Sequence, residues 1–349
     1  MAYAKKKDGY KGGLQRLKED IKAKAPRKLY VFFGEESYLK EYYRDELKKL
    51  IGRGGFDDFN IINMDGSGLK AEELEDAVDS LPFGSERKMI IIRDPDLSSG
   101  GAKMKEYYTG LFSDVPEYLC MVLYYESSEF SMDKRLNIYK ALEKNACIVE
   151  FERAGGSELV RWLQRRFSSH GKRIAPGDCD YLLYISGFLM TNLITEVDKI
   201  SSYCEGETVT KADIDAVASR VLEVDVFDLT DCIMSGDYIK GISILRDLLD
   251  DKNEPVALMS AIIRQTQRIY AASLAVKDGK GEDYLTNLYK FRSSYPARLL
   301  LKAVKGIEPY KAAKALDICC NADTYLKSNI PDQARTLELT LLKMAEAVR

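Results

Sequence analysis

Short, unbroken apolar segments alternate with helix-like segments over the first 150 or so residues of the chain. The apolar segments, such as LYVFF and MVLYY, lack the alternation of a strand that has one face in solvent. Strands that are buried on both faces have this pattern, and parallel sheets covered by helices contain such strands. We therefore predict a parallel sheet in an α/β domain, with strands at residues 28–33, 59–64, 89–92, 121–125 and 147–151.

The strand pattern stops after Arg153, and Ala154, Gly155 and Gly156 follow as a predicted hinge. Residues 157–219 contain several short segments that are predicted to be helical. Thr210 is the predicted N-cap of the last one. From Asp225 onward the apolar spacing is helical to the end. The pattern predicts three domains, namely an α/β domain (1–153), a small all-helical domain (154–221) and a helical C-terminal domain (222–349).

The C-terminal domain contains three long segments in which apolar residues recur at helical spacing. The first segment starts at Glu254-Pro255, a suitable helix start because proline is tolerated in the first turn. The predicted helices cover residues 254–277, 307–326 and 334–348.

The composition narrows the class of protein only modestly. No apolar run approaches the ~20 residues that span a bilayer, and the basic segment 1–10 lacks the apolar stretch of a secretory signal. We therefore expect a cytoplasmic protein without membrane contact. The seven cysteines include no CxxC pair, so we expect reduced thiols and no metal site. A net charge of −3 argues against a generally basic, nucleic-acid-coating surface.

The junction after the first strand lies where nucleotide-binding α/β proteins carry their phosphate loop. Such a loop needs glycines and a Lys-Ser/Thr pair to hold phosphate and magnesium. Here the junction is Gly34-Glu35-Glu36, and no Gly-Lys-Ser/Thr occurs in the sequence. The two carboxylates would repel a triphosphate, although they also suit the positive end of a helix dipole. We predict no ATP hydrolysis at this position and no bound cofactor.

A second glycine pattern keeps a nucleotide-dependent enzyme open as an alternative. Residues 66–71 match G-x-G-x-x-A between a predicted strand and a helix, and Asp94 follows the next strand. The pattern follows the second strand rather than the first, which favours a plain turn. His170 is the only histidine, so a catalytic triad has one candidate centre, and its polar helix-end setting argues against that role.

Two pairs of arginines stand at helical i,i+4 spacing, Arg161 with Arg165 and Arg264 with Arg268. Each pair is a candidate contact to a DNA backbone. The alternative for both is an ordinary solvated helix face. A helical nucleic-acid adaptor therefore stays open as a further function.

The segment Ser80-Leu81-Pro82-Phe83-Gly84 places two large apolar side chains around a proline, at a helix end and between polar stretches. A backbone fixed by proline and released by glycine can present Leu81 and Phe83 to a partner's pocket. Alternatively, both side chains fold inward and fasten the helix to the sheet. The residues alone leave both interpretations open.

Several segments, in order from about residue 28 to the end, resemble the delta subunit of bacterial DNA polymerase III. The first includes the strand and turn at Gly34, and the second includes Leu81 and Phe83. The matching segments are residues 29–39, 80–83, 86–93, 192–199, 226–231, 264–265, 322–328 and 337–339.

The resemblance implies a degenerate AAA+ domain, a helical lid and a helical collar. It further implies a non-catalytic subunit of the DNA polymerase III holoenzyme, a DNA-directed DNA polymerase. Its partners would be the sliding clamp (beta subunit), the gamma/tau motor subunits, the delta-prime subunit and primed DNA. Leu81 and Phe83, supported by Ser80 and Pro82, would bind and open the clamp. Gly84 stands where the family often has a second aromatic residue.

Overall fold

The chain is described by a computed structural model that covers residues 12–52, 56–97, 101–127, 130, 133–328 and 332–348, with only the backbone at residue 57. Residues 1–10, in which we predict no secretory signal, lie outside the described residues. The chain divides into two compact units, Met1–Ala154 and Gly155–Arg349.

The first unit alternates strands and helices. Its elements are α1 (Gly13–Ala23), β1 (Leu29–Phe33), α2 (Ser37–Ile51), α3 (Asp57–Asn60), β2 (Ile61–Asp65), α4 (Ala71–Asp79), β3 (Lys88–Arg93), α5 (Ala102–Ser113), β4 (Leu119–Tyr124), α6 (Asn137–Asn145) and β5 (Cys147–Glu150).

The five strands form one parallel sheet in the order β2-β3-β4-β1-β5. Strand β1 lies between β4 and β5, with Val31 beside Leu123 on one side and Ile148 on the other. All five residues of β1 are buried, as the unbroken apolar run predicts. The predicted parallel α/β sheet is confirmed.

Helices cover both faces of this sheet. On one face, Leu17 of α1 and Leu47 of α2 join Tyr30 and Phe32 of β1 in a buried cluster. On the other face, α4, α5 and α6 pack against the alternate residues of β1, β3 and β4. Successive side chains of a strand point to opposite faces, so each strand contributes to both clusters.

The second unit is mainly helical. It contains α7 (Gly156–Ser169), β6 (Arg173–Ile174), α8 (Pro176–Ser186), α9 (Met190–Tyr203), β7 (Thr208–Val209), α10 (Lys211–Val217), α11 (Leu222–Ser235), α12 (Tyr238–Asp250), α13 (Pro255–Lys277), α14 (Glu282–Tyr289), α15 (Tyr295–Ala303), α16 (Pro309–Leu326) and α17 (Gln333–Val348). The three predicted long helices correspond to α13, α16 and α17.

Two details of the prediction for residues 154–221 have different outcomes. Thr210 caps α10 as expected, because its side chain and that of Asp213 each accept a hydrogen bond from the other's backbone N–H. The all-helical prediction is wrong, since β6 and β7 pair in parallel. Each of these strands has two residues, too few to produce a readable apolar pattern. The division of the second unit into two domains stays a prediction.

The strand predicted at residues 59–64 begins later than expected. Phe59 and Asn60 belong to the helical turn α3, and β2 starts at Ile61. Among the described residues, no helix is both long and apolar enough to cross a membrane.

Candidate functional site

Residues 80–84, the first part of the loop between α4 and β3, carry two exposed apolar side chains and are called the tip loop here. Leu81 is 75% exposed and Phe83 is 58% exposed. The alternative in which both side chains fold inward is therefore wrong. Ser80 is also exposed, and Pro82 is partly buried.

Asn60 fixes the tip loop from the side of β2. Its buried amide accepts a hydrogen bond from the Phe83 N–H at 2.8 Å and donates one to the Phe83 carbonyl at 2.8 Å. Both backbone groups of Phe83 are thus bound by one side chain. The backbone position from which the Phe83 ring projects is therefore fixed.

Lys88, the first residue of β3, fixes the other end of the tip loop. Its Nζ donates to the carbonyls of Ala77 (2.5 Å), Val78 (2.8 Å) and Ser80, and contacts the Ser80 hydroxyl at 2.9 Å. These groups include carbonyls that the end of α4 leaves without a helical partner. Burial of the ammonium lowers the pKa of Lys88, and the charge of Asp79 opposes this effect. Ser80 therefore supports the tip loop through its own carbonyl and hydroxyl.

Two further aromatic residues lie beside Phe83. The centroid of the Phe56 ring is 5.1 Å from that of Phe83, and the centroid of the Phe59 ring is 5.4 Å from it. Sequence reasoning missed both, together with Asn60 and Lys88. Two phenylalanines three residues apart among aspartates were the available signal for the pair.

The phosphate-loop position has a closed geometry. Gly34 has a φ of +120°, and a Cβ there would lie 2.5 Å from the Phe151 carbonyl oxygen. The same carbonyl accepts the Glu36 N–H at 2.9 Å. The backbone that cradles phosphate in nucleotide-binding proteins is here held against the residue that follows β5.

The charged side chains at this junction are also engaged elsewhere. Glu36 is buried, and the Glu35 carboxylate lies 3.0 Å from Nε of Arg153. Lys40, in the first turns of α2, is buried and donates to the carbonyls of Tyr125 and Glu126, each at 3.0 Å. Burial lowers its pKa. The lysine nearest the junction in sequence therefore donates its hydrogen bonds to the segment that follows β4.

The glycine pattern at residues 66–71 forms a turn at the end of β2, an edge strand of the sheet. Asp65 accepts the Ser67 N–H at 2.8 Å, which is a typical turn contact. Asp94 accepts the Glu126 N–H at 2.9 Å. The carboxylate that would bind a ribose in a dinucleotide-binding domain thus holds a loop instead, so the geometry favours the plain turn.

The arginine pairs have different surroundings. Arg161 and Arg165 are both exposed on α7. On α13, Arg264 is exposed, whereas the Arg268 guanidinium lies 5.8 Å and 5.6 Å from the ring centroids of Tyr289 and Phe291. Contact of these arginines with a DNA backbone stays a prediction.

These features define the class as an α/β protein with a five-stranded parallel sheet, an altered phosphate-loop position and an exposed apolar tip, followed by a mainly helical unit. Residues 30–152 match the family model "DNA polymerase III, delta subunit". Residues 223–344 match "DNA polymerase III delta subunit, C-terminal domain". The chain belongs to the DNA polymerase III delta subunit family.

Individual relatives agree with the family models. The Bacillus subtilis (strain 168) DNA polymerase III subunit delta is 22% identical over 329 residues, which cover 90% of this chain and 92% of that protein. A probable DNA polymerase III subunit delta from Aquifex aeolicus (strain VF5) is 25% identical over 267 residues, or 73% of each chain. The solved structure of the Bacillus subtilis DNA clamp loader delta protein has a TM-score of 0.58 and 20% identity, covering 95% of this chain and 99% of that one. This likeness confirms the predicted fold.

Proposed function

We propose that this protein is a non-catalytic clamp-loader subunit that binds the sliding clamp and opens it for loading on primed DNA. Leu81 and Phe83 are the anchors, with Ser80 and Pro82 as supporting residues. The observation that carries the proposal is that both anchors are exposed on a tip loop whose backbone is fixed from two sides. Family membership and the likeness to the Bacillus subtilis DNA clamp loader delta protein support it.

The fixed backbone favours binding because little freedom is lost when the anchors enter a pocket. Ordering a flexible loop lowers affinity, and a loop already ordered avoids that cost. Large apolar anchors that become fully covered carry most of the binding free energy of an interface. Leu81 and Phe83 are of this type.

Opening of the clamp then follows from a difference in affinity. A subunit that binds the open ring more tightly than the closed ring shifts the opening equilibrium by that difference. Because the phosphate-loop position is closed in this chain, ATP binding and hydrolysis belong, in this proposal, to the gamma/tau motor subunits of the assembly. ATP binding there would expose the tip loop, and hydrolysis would release the clamp. In this proposal residues 154–221 form the lid, and residues 222–349 form the collar that joins the motor subunits and delta-prime.

The proposal is tested by measuring opening of the cognate clamp in solution. Two fluorophores placed across one ring interface of the clamp report their separation by energy transfer. We expect the full chain to increase this separation without nucleotide, and added ATP and magnesium to change nothing for the chain alone. Binding without any increase in separation, or opening that requires ATP, would contradict the proposal.

A further inference from the structure

We propose that Phe56 and Phe59, together called the aromatic shoulder, belong to the clamp-binding surface. They extend the tip loop into a four-residue apolar face that enters the same apolar pocket of the clamp. This inference rests on the proposed function and adds residues that neither the sequence motifs nor the family resemblance assign.

The local backbone turns the shoulder toward the tip loop. The Phe56 carbonyl accepts hydrogen bonds from the N–H groups of Phe59 and Asn60, each at 3.1 Å, so residues 56–60 form a helical turn. Residues three apart on such a turn lie on the same side. Phe56 and Phe59 therefore share one side, while the next residue, Asn60, is buried and binds the backbone of Phe83.

The three rings form a contiguous cluster at the surface. Phe56 packs edge-on against Phe83 with an interplanar angle of 90°, and Phe59 is tilted against it at 44°. Such arrangements are favourable for aromatic pairs. Phe59 is nevertheless 68% exposed, and Phe56 is 41% exposed. A single exposed apolar residue needs no explanation, whereas an exposed apolar cluster indicates an interaction site.

Gly84 gives the Phe56 ring its place. Its φ of +60° lies in the left-handed region, and a Cβ at this position would come within 2.8 Å of two Phe56 ring carbons. A residue with a side chain at position 84 would therefore displace the ring. Glycine at this position therefore leaves room for the Phe56 ring beside the tip loop.

Continuity with the tip loop identifies the occupant. Phe83 touches both shoulder rings and is also a proposed anchor, so a pocket that covers Phe83 also approaches Phe59. The shoulder is aromatic and carries no charge on its rings, which suits the apolar pocket proposed for the anchors. A second copy of this chain is the competing occupant, and the experiment separates the two.

The test compares the affinity of full-length variants for the cognate clamp. Phe59→Ala removes the most exposed shoulder ring, so its folding effect is small, and we expect a dissociation constant raised about 10-fold, as for an interface hot spot. Phe56→Ala with Phe59→Ala should raise it further. Phe59→Leu keeps apolar area without an aromatic ring and should restore most of the affinity. Tyr310→Ala, at an equally exposed aromatic residue of the second unit (67%), serves as the matched control and should bind normally.

The outcomes distinguish this inference from the proposed function. Normal binding by Phe59→Ala and by the double shoulder variant, with weak binding by Leu81→Ala/Phe83→Ala, would overturn the shoulder and leave the function standing. Absence of clamp binding by the unaltered chain would overturn both. Self-association that the shoulder substitutions abolish while clamp binding persists would make a second copy the occupant and overturn the inference. If Phe59→Leu binds the clamp as weakly as Phe59→Ala does, the ring only positions Phe83, and the inference is overturned.

Discussion

At the scale of single residues, Asn60 determines how the tip loop is presented. One buried side chain satisfies both the N–H and the carbonyl of Phe83. Removing it leaves two backbone groups without their protein partner and releases the residue that carries the proposed anchor. Because buried polar groups are costly to leave unpaired, Asn60 contributes to stability as well as to presentation.

We predict that Asn60→Ala lowers the free energy of unfolding by about 1–3 kcal/mol. Urea denaturation of the two proteins measures this difference. Asn287→Ala, at an exposed asparagine of α14, is the control and should change stability by less than about 0.5 kcal/mol. A similarly small effect of Asn60→Ala would show that the two hydrogen bonds do not stabilise the loop.

Some of the residue-scale chemistry was readable from the sequence and some was not. Leu81 and Phe83 attract notice because apolar residues flank a proline between polar stretches, yet the pattern alone could not decide between exposure and burial. Asn60 was hidden because it lies inside a segment that looks like a strand. Its partner is 23 residues away in sequence, and such a pairing has no local pattern.

At the scale of elements, Lys88 connects the end of α4 to the start of β3. Its ammonium is buried among the carbonyls of Ala77, Val78 and Ser80. Burial disfavours the charged form and lowers the pKa of Lys88 in the folded protein. In the unfolded chain this lysine keeps an ordinary pKa of about 10.4.

This difference predicts a dependence of stability on alkaline pH. Between the lowered pKa and the ordinary value, the unfolded chain binds more protons than the folded one, so the unfolding free energy rises with pH. Lys88→Met lacks this contribution. We therefore expect the unfolding free energy of the unaltered protein, minus that of Lys88→Met, to increase as the pH approaches about 10.4. Urea denaturation of both proteins along a pH series measures this difference in unfolding free energy. If the difference falls with pH, the carbonyls stabilise the charged ammonium more than burial destabilises it.

Element prediction succeeded where the pattern was long and unbroken. The run at β1 and the helix that begins at Pro255 were found because many apolar positions agreed on one period. The last two residues of α3, Phe59 and Asn60, were assigned to a strand because they run directly into β2. Strands β6 and β7 were missed because two residues contain no period.

At the scale of the whole molecule, the order of elements was more predictive than any single motif. The parallel sheet and the following helices were expected from the hydrophobic pattern, and the family from an ordered set of moderately specific segments. The closed phosphate-loop position depends on contacts between Gly34 and Phe151, which are distant in sequence and meet only in the folded unit. The absence of a Gly-Lys-Ser/Thr motif predicts that this position hydrolyses no ATP, but it does not predict the geometry of the junction.

The central claim is that Leu81 and Phe83 bind the sliding clamp, and it is tested most directly by the affinity of Leu81→Ala/Phe83→Ala for that clamp. We predict a loss of about 2–4 kcal/mol of binding free energy, as for buried anchors, with an unfolding free energy close to that of the unaltered chain. Ile239→Ala, at an apolar residue of the second unit that is 89% exposed, should bind the clamp normally. Unchanged clamp affinity of the double variant, together with a marked loss of stability, would contradict the account.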